Sequence, residues 1–265
     1  MKRNKVAIIG CGNIGLSLLQ GLLKEKSIMA ENIYATRRNI QELIYLKETG
    51  LKLTSDNIKA TKESNLIIIA VKPYNFVNVL EEIKDNLDPA KHILISVTAG
   101  VTLDQIQEVL QMKIPVFRVM PNISASVGRS VSCICHKGAE EDDIHSVEQI
   151  FDHIGTTMTI EEGLMESATI LGACGVAYVL RFIRAMIQGG IQIGFDAKTA
   201  SAIVNQTVKG AAELLIERHQ HPEFEIDKVT TPRGCTIVGL NEMEHNGFSS
   251  SLIKGIVASY EQIEK

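Results

Sequence analysis

Residues Gly10–Gly15 read GCGNIG and follow directly on the β-branched run Val6–Ile9. Three glycines at this spacing, between a strand and an amphipathic stretch that begins at Leu16, have separate physical uses. Gly10 permits a tight turn, Gly12 lets backbone approach a bound pyrophosphate, and Gly15 allows helix and strand to pack closely. The helix that follows offers unpaired N–H groups and partial positive charge to an anion. A dinucleotide is the expected ligand; the blander alternative is a glycine-rich turn and nothing more.

The next strand, Ile33–Thr36, ends in YATRRN. An acidic residue at such a tip holds the ribose 2′-hydroxyl of NAD, and this stretch has none. Thr36, Arg37 and Arg38 stand there instead. Two guanidinium groups favour a 2′-phosphate, because arginine makes charge-assisted and often bidentate bonds to phosphate. NADPH is therefore the expected cofactor, with NADH as the second choice and two solvated loop arginines as the competing reading. A third strand ends in AVKP, Ala70–Pro73, at the carboxyl edge where open α/β sheets bind ligands. There Lys72 reads equally as a cofactor neighbour or as a loop lysine.

Near the carboxyl terminus, Val229–Glu244 reads VTTPRGCTIVGLNEME. Pro232 and Gly234 break structure, and a helical pattern then starts at Cys235 or Thr236. A glycine loop feeding a helix start, with the hydroxyls of Thr230, Thr231 and Thr236 close by, suits a carboxylate held by backbone N–H groups. An ordinary capped helix start explains the same residues.

These segments need elements to position them. The first 160 residues alternate short apolar runs with helical spacing, the pattern of βαβ units around a parallel sheet. Strands are expected at Val6–Ile9, Ile33–Thr36, Leu66–Val71, Ile93–Val97, Val116–Val119 and Val131–Cys135, with helices at Ile14–Lys26, Gln41–Thr49, Asn75–Leu87, Leu103–Gln111 and Glu141–Ile154. The run LIIIAV is apolar on both faces, so helices must cover both sides of it, as in a doubly wound sheet. From about Glu162 the strand signal stops. Residues 162–195 and 196–219 read as long helices, followed by a loop from His221 to Arg233 and two shorter helices. Helices apolar most of the way round need cover that about 100 residues cannot supply, which implies an all-α dimerisation domain. The boundaries expected are 1–160 and 161–265.

Composition agrees. The chain has 265 residues, 45% hydrophobic and only 5% aromatic with no tryptophan, so its core rests on Ile, Leu, Val, Ala and Met. With 27 basic against 31 acidic residues the net charge is -4, which leaves no electrostatic footprint for nucleic acid. Five cysteines without a CxxC pair fit a reducing, cytoplasmic setting. No metal site is expected. The start, with Met1, Lys2, Arg3 and Lys5, lacks the apolar core of a signal peptide, and Ser167–Leu180, closed by Arg181 and Arg184, is too short uninterrupted to cross a membrane.

Six pieces in this order, GCGNIG, AVKP, SVTAGVTL at 96–103, RVMPN at 118–122, ESATILGACGVAYV at 166–179 and TTPRGCTIVGL at 230–240, make the chain resemble the pyrroline-5-carboxylate reductases along almost its whole length. The resemblance implies a Rossmann domain followed by a helical domain that interlocks as a homodimer, with higher assembly left open. It also implies reduction of the cyclic imine 1-pyrroline-5-carboxylate to L-proline with NAD(P)H. Carried over by position, it places cofactor contacts at Gly10, Cys11, Gly12, Asn13, Ile14 and Gly15, at Thr36 and its neighbours, at Asn57, at Ala70, Val71, Lys72 and Pro73, and at Thr98 and Ala99. It puts the substrate carboxylate on the N–H groups of Gly234, Cys235 and Thr236, the Thr236 hydroxyl near the ring nitrogen, and Glu162 near the substrate pocket. Two departures stand out: GACGV at 172–176 where the family has SGSGP, and PRG at 232–234 where it has PGG. Competing readings are a reductase of another imine, a β-hydroxyacid dehydrogenase, and a nucleotide sensor without activity. The dehydrogenases carry a catalytic lysine on the long interdomain helix, and residues 166–195 contain none.

Overall fold

Alternating side chains of the central strands enter two separate buried layers. In β1 (Val6–Ile9), Val6 and Ile8 join one apolar cluster while Ala7 and Ile9 join the other. The structure is a computed structural model describing residues 5–26 and 28–263, so Met1, Lys2 and Arg3 lie outside the described residues. After β1 come α1 (Asn13–Glu25), β2 (Ile33–Thr36), β3 (Lys52–Thr54), α2 (Asn57–Lys62) and β4 (Leu66–Ile69). Then follow α3 (Pro73–Ile83), β5 (Ile93–Ser96), α4 (Leu103–Leu110), β6 (Val116–Met120), β7 (Ser130–Lys137), α5 (Glu141–Asp152) and β8 (Gly155–Thr159). β4 repeats the split of β1: Leu66 and Ile68 face one layer, Ile67 and Ile69 the other. Burying each such aliphatic side chain is worth about 1.5–3 kcal/mol, which makes the two-layered sheet the stable part of the fold.

The sheet order is β3-β2-β1-β4-β5-β6-β7-β8. β1 to β6 pair in parallel; β7 runs antiparallel to β6, and β8 parallel to β7. The doubly wound sheet is therefore parallel-dominated rather than wholly parallel. The reason is the link between β6 and β7: a 3-10 turn, Ile123–Val127, and Gly128 at φ +71 fill it, and a parallel crossover needs a dozen or more residues. The segment expected as a helix at Gln41–Thr49 forms a 3-10 helix, Ile40–Thr49, started by Asn39, whose Oδ1 accepts from Gln41 N at 3.3 Å. β3, α2 and β8 complete the sheet and its cover without an apolar sequence pattern to announce them.

The chain divides into two compact units, one up to Cys174 and one from Gly175 to Ile263. The strand signal ends before this division, yet residues 161–174 pack with the sheet. They comprise a 3-10 turn, Glu162–Leu164, then α6 (Met165–Ala168) and a π-helical turn, Thr169–Cys174, with Met165 and Ile170 buried.

The second unit is all helical: α7 (Gly175–Gln192), α8 (Ala197–Arg218), α9 (Pro222–Lys228), α10 (Cys235–His245) and α11 (Phe248–Ile263). α9 occupies half of the stretch expected as a loop, because Pro222 sits at the first helical position, where its missing N–H costs nothing. Gly190 lets α7 approach α8 closely, since a Cβ there would lie 3.2 Å from that of Ala200. Of this unit's large apolar side chains, Ile193, Ile216, Val238 and Ile253 are each more than 60% exposed. By length and composition the helical stretch Glu162–Gln192 would also pass for a membrane span, with mean hydropathy 1.7. It carries four charged residues, Glu162 and Glu166 in its first turns and Arg181 and Arg184 further along.

Candidate functional site

Strand order reverses at β1, whose carboxyl end lies between those of β2 and β4. This is the crevice in which open α/β sheets bind ligands. The turn from β1 into α1 is packed without slack. Gly10 sits at φ +93, and a Cβ on it would lie 2.5 Å from Val71 Cγ1; a Cβ on Gly15 would lie 2.6 Å from the carbonyl oxygen of Gly10. Gly12 differs from both, because a Cβ there would meet nothing within 4 Å. It is also the N-cap of α1, with no side chain hydrogen-bonded to the helix start and no acidic residue in the first turn. Room, unpaired donors and the positive end of a helix dipole are what a pyrophosphate needs. The residues present fit a dinucleotide.

Around this seat the other expected contacts fall into place unequally. Asn13 is exposed and Ile14 half-buried, at the first turn of α1. Cys11 turns its side chain into the core, where burial pushes the thiol up to about 12, so it offers the ligand only backbone. Thr36 is a hub: its carbonyl accepts from Gly10 N (3.2 Å) and Cys11 N (2.8 Å), and its hydroxyl donates to Asn57 Oδ1 at 2.7 Å. Asn57, the first residue of α2, donates in turn to Glu82 Oε2 at 2.9 Å. Ala70 and Val71 close the turn from the β4 side, and the hydroxyl of buried Thr98 donates to Val71 O at 3.1 Å, holding Ala99 beside the same edge. Lys72 is exposed at the N-cap of α3, with Pro73 at its first position.

At the tip of β2 the two arginines are not alike. Arg37 donates to Cys11 O at 2.8 Å and pairs with Glu42, whereas exposed Arg38 has no hydrogen bond or ion pair with described residues. Glu42 and Glu82 are absent from the sequence-level site. Only the folding of the 3-10 helix and of α3 brings them to it.

In the second unit, the loop between α9 and α10 is a tight turn in which Gly234 N donates to Thr231 O at 2.9 Å. A Cβ at Gly234 would lie 2.6 Å from Thr231 Oγ1, so glycine is required there. Thr230 spends its hydroxyl on Ile226 O (2.8 Å). Gly234 is the N-cap of α10, again without a side-chain cap and without an acid in the first turn. The N–H groups of Cys235 and Thr236 are therefore the free donors of this helix start, and Thr231, Cys235 and Thr236 are all exposed. Arg233 holds φ +62, a left-handed conformation that costs a non-glycine residue about 1 kcal/mol.

Glu162 belongs to the first unit. Its Oε1 accepts from Leu103 N (2.7 Å), capping α4, and from Arg118 Nη1 (2.8 Å), while Arg118 Nη2 donates to Glu166 Oε1 at 2.9 Å. Burial of Arg118 works against its charge, but the two carboxylates outweigh it and leave its pKa raised. Asn122, from RVMPN, links this region to the π turn by donating to Gly172 O at 2.8 Å. That turn carries the GACGV departure.

A parallel-dominated sheet with a glycine turn and a bare helix start at its switch point, followed by an all-helical unit, defines a Rossmann-type nicotinamide oxidoreductase. Residues 162–265 match the family model described as pyrroline-5-carboxylate reductase dimerisation, and residues 5–100 match that described as NADP oxidoreductase, coenzyme F420-dependent. Pyrroline-5-carboxylate reductase 2 of Dictyostelium discoideum is 41% identical over all of this chain and 94% of its own length. Pyrroline-5-carboxylate reductase 1 of the same organism is 40% identical over 97% of this chain, which spans only 48% of that longer protein. The crystal structure of Plasmodium falciparum pyrroline carboxylate reductase with NADP bound superposes with a TM-score of 0.90, at 29% identity, covering 99% of this chain and 98% of that one. The chain belongs to the pyrroline-5-carboxylate reductase family.

The two glycines separate folding from binding. Gly12→Ala should keep the thermal midpoint of the wild type, because its methyl enters open space, yet weaken NADPH binding at least about tenfold, because it would take the room that backbone needs to approach a pyrophosphate. Gly15→Ala lowers the midpoint, because its methyl meets the Gly10 carbonyl. Thermal melts alongside NADPH fluorescence titrations check both. Equal loss of binding and stability in Gly12→Ala would contradict the assignment.

Proposed function

We infer that this chain reduces 1-pyrroline-5-carboxylate to L-proline, the last step of proline synthesis, with NADPH as the preferred donor and NADH as the second. The observation that carries this reading is a relation to pyrroline-5-carboxylate reductases that runs through both units in one order. The nicotinamide, when bound, supplies a hydride to the imine carbon. The tasks of the protein are then binding, orientation and exclusion of water.

Residues 1–160 hold the dinucleotide, with its pyrophosphate on Gly12, Asn13 and Ile14 and its adenosine end toward Thr36, Arg37, Arg38 and Asn57. Ala70 to Pro73 and Thr98 with Ala99 form the edge toward the nicotinamide. Residues 161–265 hold the substrate and the dimer interface. The substrate carboxylate takes the free N–H groups of Cys235 and Thr236, with Gly234 and Thr231 shaping the turn beneath them. The Thr236 hydroxyl makes the hydrogen bond to the ring nitrogen, which enters the reaction already protonated and needs orientation more than a strong acid. Glu162 fixes the start of α4 directly, through Leu103 N, and pairs with Arg118.

A second copy of the chain is the partner of the helical unit. Its helices leave large apolar side chains in the open, and the apolar stretch Glu162–Gln192 falls inside the segment that matches a dimerisation family. A cytoplasmic location fits five free cysteines.

Mixing the protein with NADPH and pyrroline-5-carboxylate should consume the reduced-nicotinamide absorbance and yield proline; binding of NADPH without turnover would sink the reading. Thr236→Ala should lower kcat at least about tenfold with NADPH affinity retained, and an unchanged kcat would remove that residue's role. Sedimentation should give at least twice the chain mass of 29.1 kDa, whereas a stable monomer would refute the proposed interface.

A further inference from the structure

Glu42 lies six residues beyond Thr36 in sequence, outside the stretch in which an acidic ribose ligand is sought. The fold returns it to the tip of β2. Asn39 starts a 3-10 helix there, with Glu42 N donating to Asn39 O at 3.3 Å and Asn39 Nδ2 donating to Glu42 Oε1 at 3.3 Å. Buried Leu43 and Leu46 pin the same helix to the core. The position of the carboxylate is thus set by packing, and its Oε2 pairs with the Nη2 of Arg37. Arg37 is held from its other side as well, through Nη1 to Cys11 O in the glycine turn.

This arrangement makes the two arginines unequal. The charge of Arg37 is offset by a neighbouring carboxylate, and two of its five donors are in use. Arg38 is exposed, with its donors free of described partners. A 2′-phosphate arriving at the tip meets one available guanidinium, one that it must share, and a negative charge that repels it. A ribose 2′-hydroxyl meets a carboxylate able to accept its hydrogen bond, which is what an acid does at this place in NAD-binding sheets.

We propose that Glu42 is a specificity-determining residue that restrains the preference for the 2′-phosphate and lets the chain use NADH as well as NADPH. Arg38 is then the main phosphate contact, and Arg37 is a positioning residue that ties the tip of β2 to the glycine turn. The proposal rests on the dinucleotide seat at α1 and is independent of which imine is reduced.

The test is direct binding rather than turnover: calorimetric titration of the full chain with NADP+ and with NAD+, in the wild type and in Glu42→Gln, Arg38→Ala and Arg37→Ala. Glu42→Gln keeps the size of the side chain and one of its two acceptor positions and removes its charge. It should tighten NADP+ about fivefold while weakening NAD+, an effect of the size that removing one exposed charge from an ion pair allows. Arg38→Ala should weaken NADP+ far more than NAD+, and Arg37→Ala should weaken both. Equal changes for the two nucleotides in Glu42→Gln would show a merely structural carboxylate and overturn the proposal. Failure of the wild type to bind either nucleotide would overturn the dinucleotide reading and this proposal together. A chain that binds both yet reduces no pyrroline-5-carboxylate would sink the substrate assignment alone.

Discussion

The close approach of backbone to backbone at the end of β1 is the constraint from which the rest of the first unit follows. A methyl group on Gly10 or Gly15 would sit within 2.6 Å of an atom already there. Only a turn this tight sets α1 directly against the carboxyl edge of the sheet, with its first N–H groups uncapped and Gly12 beside open space. Thr36, Asn57 and Glu82 extend the same packing sideways by hydrogen bonds, and Thr98 extends it across β4 to β5. None of these groups supplies a reactive atom. Their work is to make the binding edge rigid before a ligand arrives, which reduces the ordering cost of binding.

The same solution recurs in the second unit. Gly234 is required by the Thr231 carbonyl and hydroxyl just as Gly15 is required by the Gly10 carbonyl, and in both places an uncapped helix start follows a glycine. On the proposed function, two anionic ligands would be met by backbone dipoles rather than by a surplus of basic side chains, which is compatible with a chain of net charge -4. Arg233, one residue before Gly234, holds φ +62, so this turn carries local backbone strain.

Much of this was legible in the sequence, for physical reasons that differ from place to place. The runs of β1, β2, β4 and β5 were readable because burial on both faces leaves them almost wholly apolar, with Thr36 and Ser96 only at the ends of β2 and β5. The glycine turn was readable because each glycine answers a separate steric demand. β3 was missed because it has three residues and is only partly buried, β8 because its residues GTTMT are only partly buried and carry no apolar run, and α9 because Pro222 reads as a breaker unless its place at the first helical position is recognised. The antiparallel return of β7 depended on the length of one link rather than on any pattern within the strand. Glu42 escaped for another reason: sequence shows which side chains are near in number, and a 3-10 helix anchored by Leu43 and Leu46 decides which are near in space. Glu162 was legible only as an acid near a pocket. Its partner Arg118, buried in the middle of β6, became visible when the strands were laid side by side.

The central claim is that the bare start of α1 is the pyrophosphate seat. Amide hydrogen exchange of the full chain with and without NADPH, resolved to residues 10–15, tests it most directly. The account predicts strong protection of the Asn13 and Ile14 amides when NADPH is added, while the amides of Cys11 and Gly12, already bonded to Thr36 O and Gly10 O, change less. Protection that appears elsewhere and leaves the Asn13 and Ile14 amides exchanging at their free rates would contradict it.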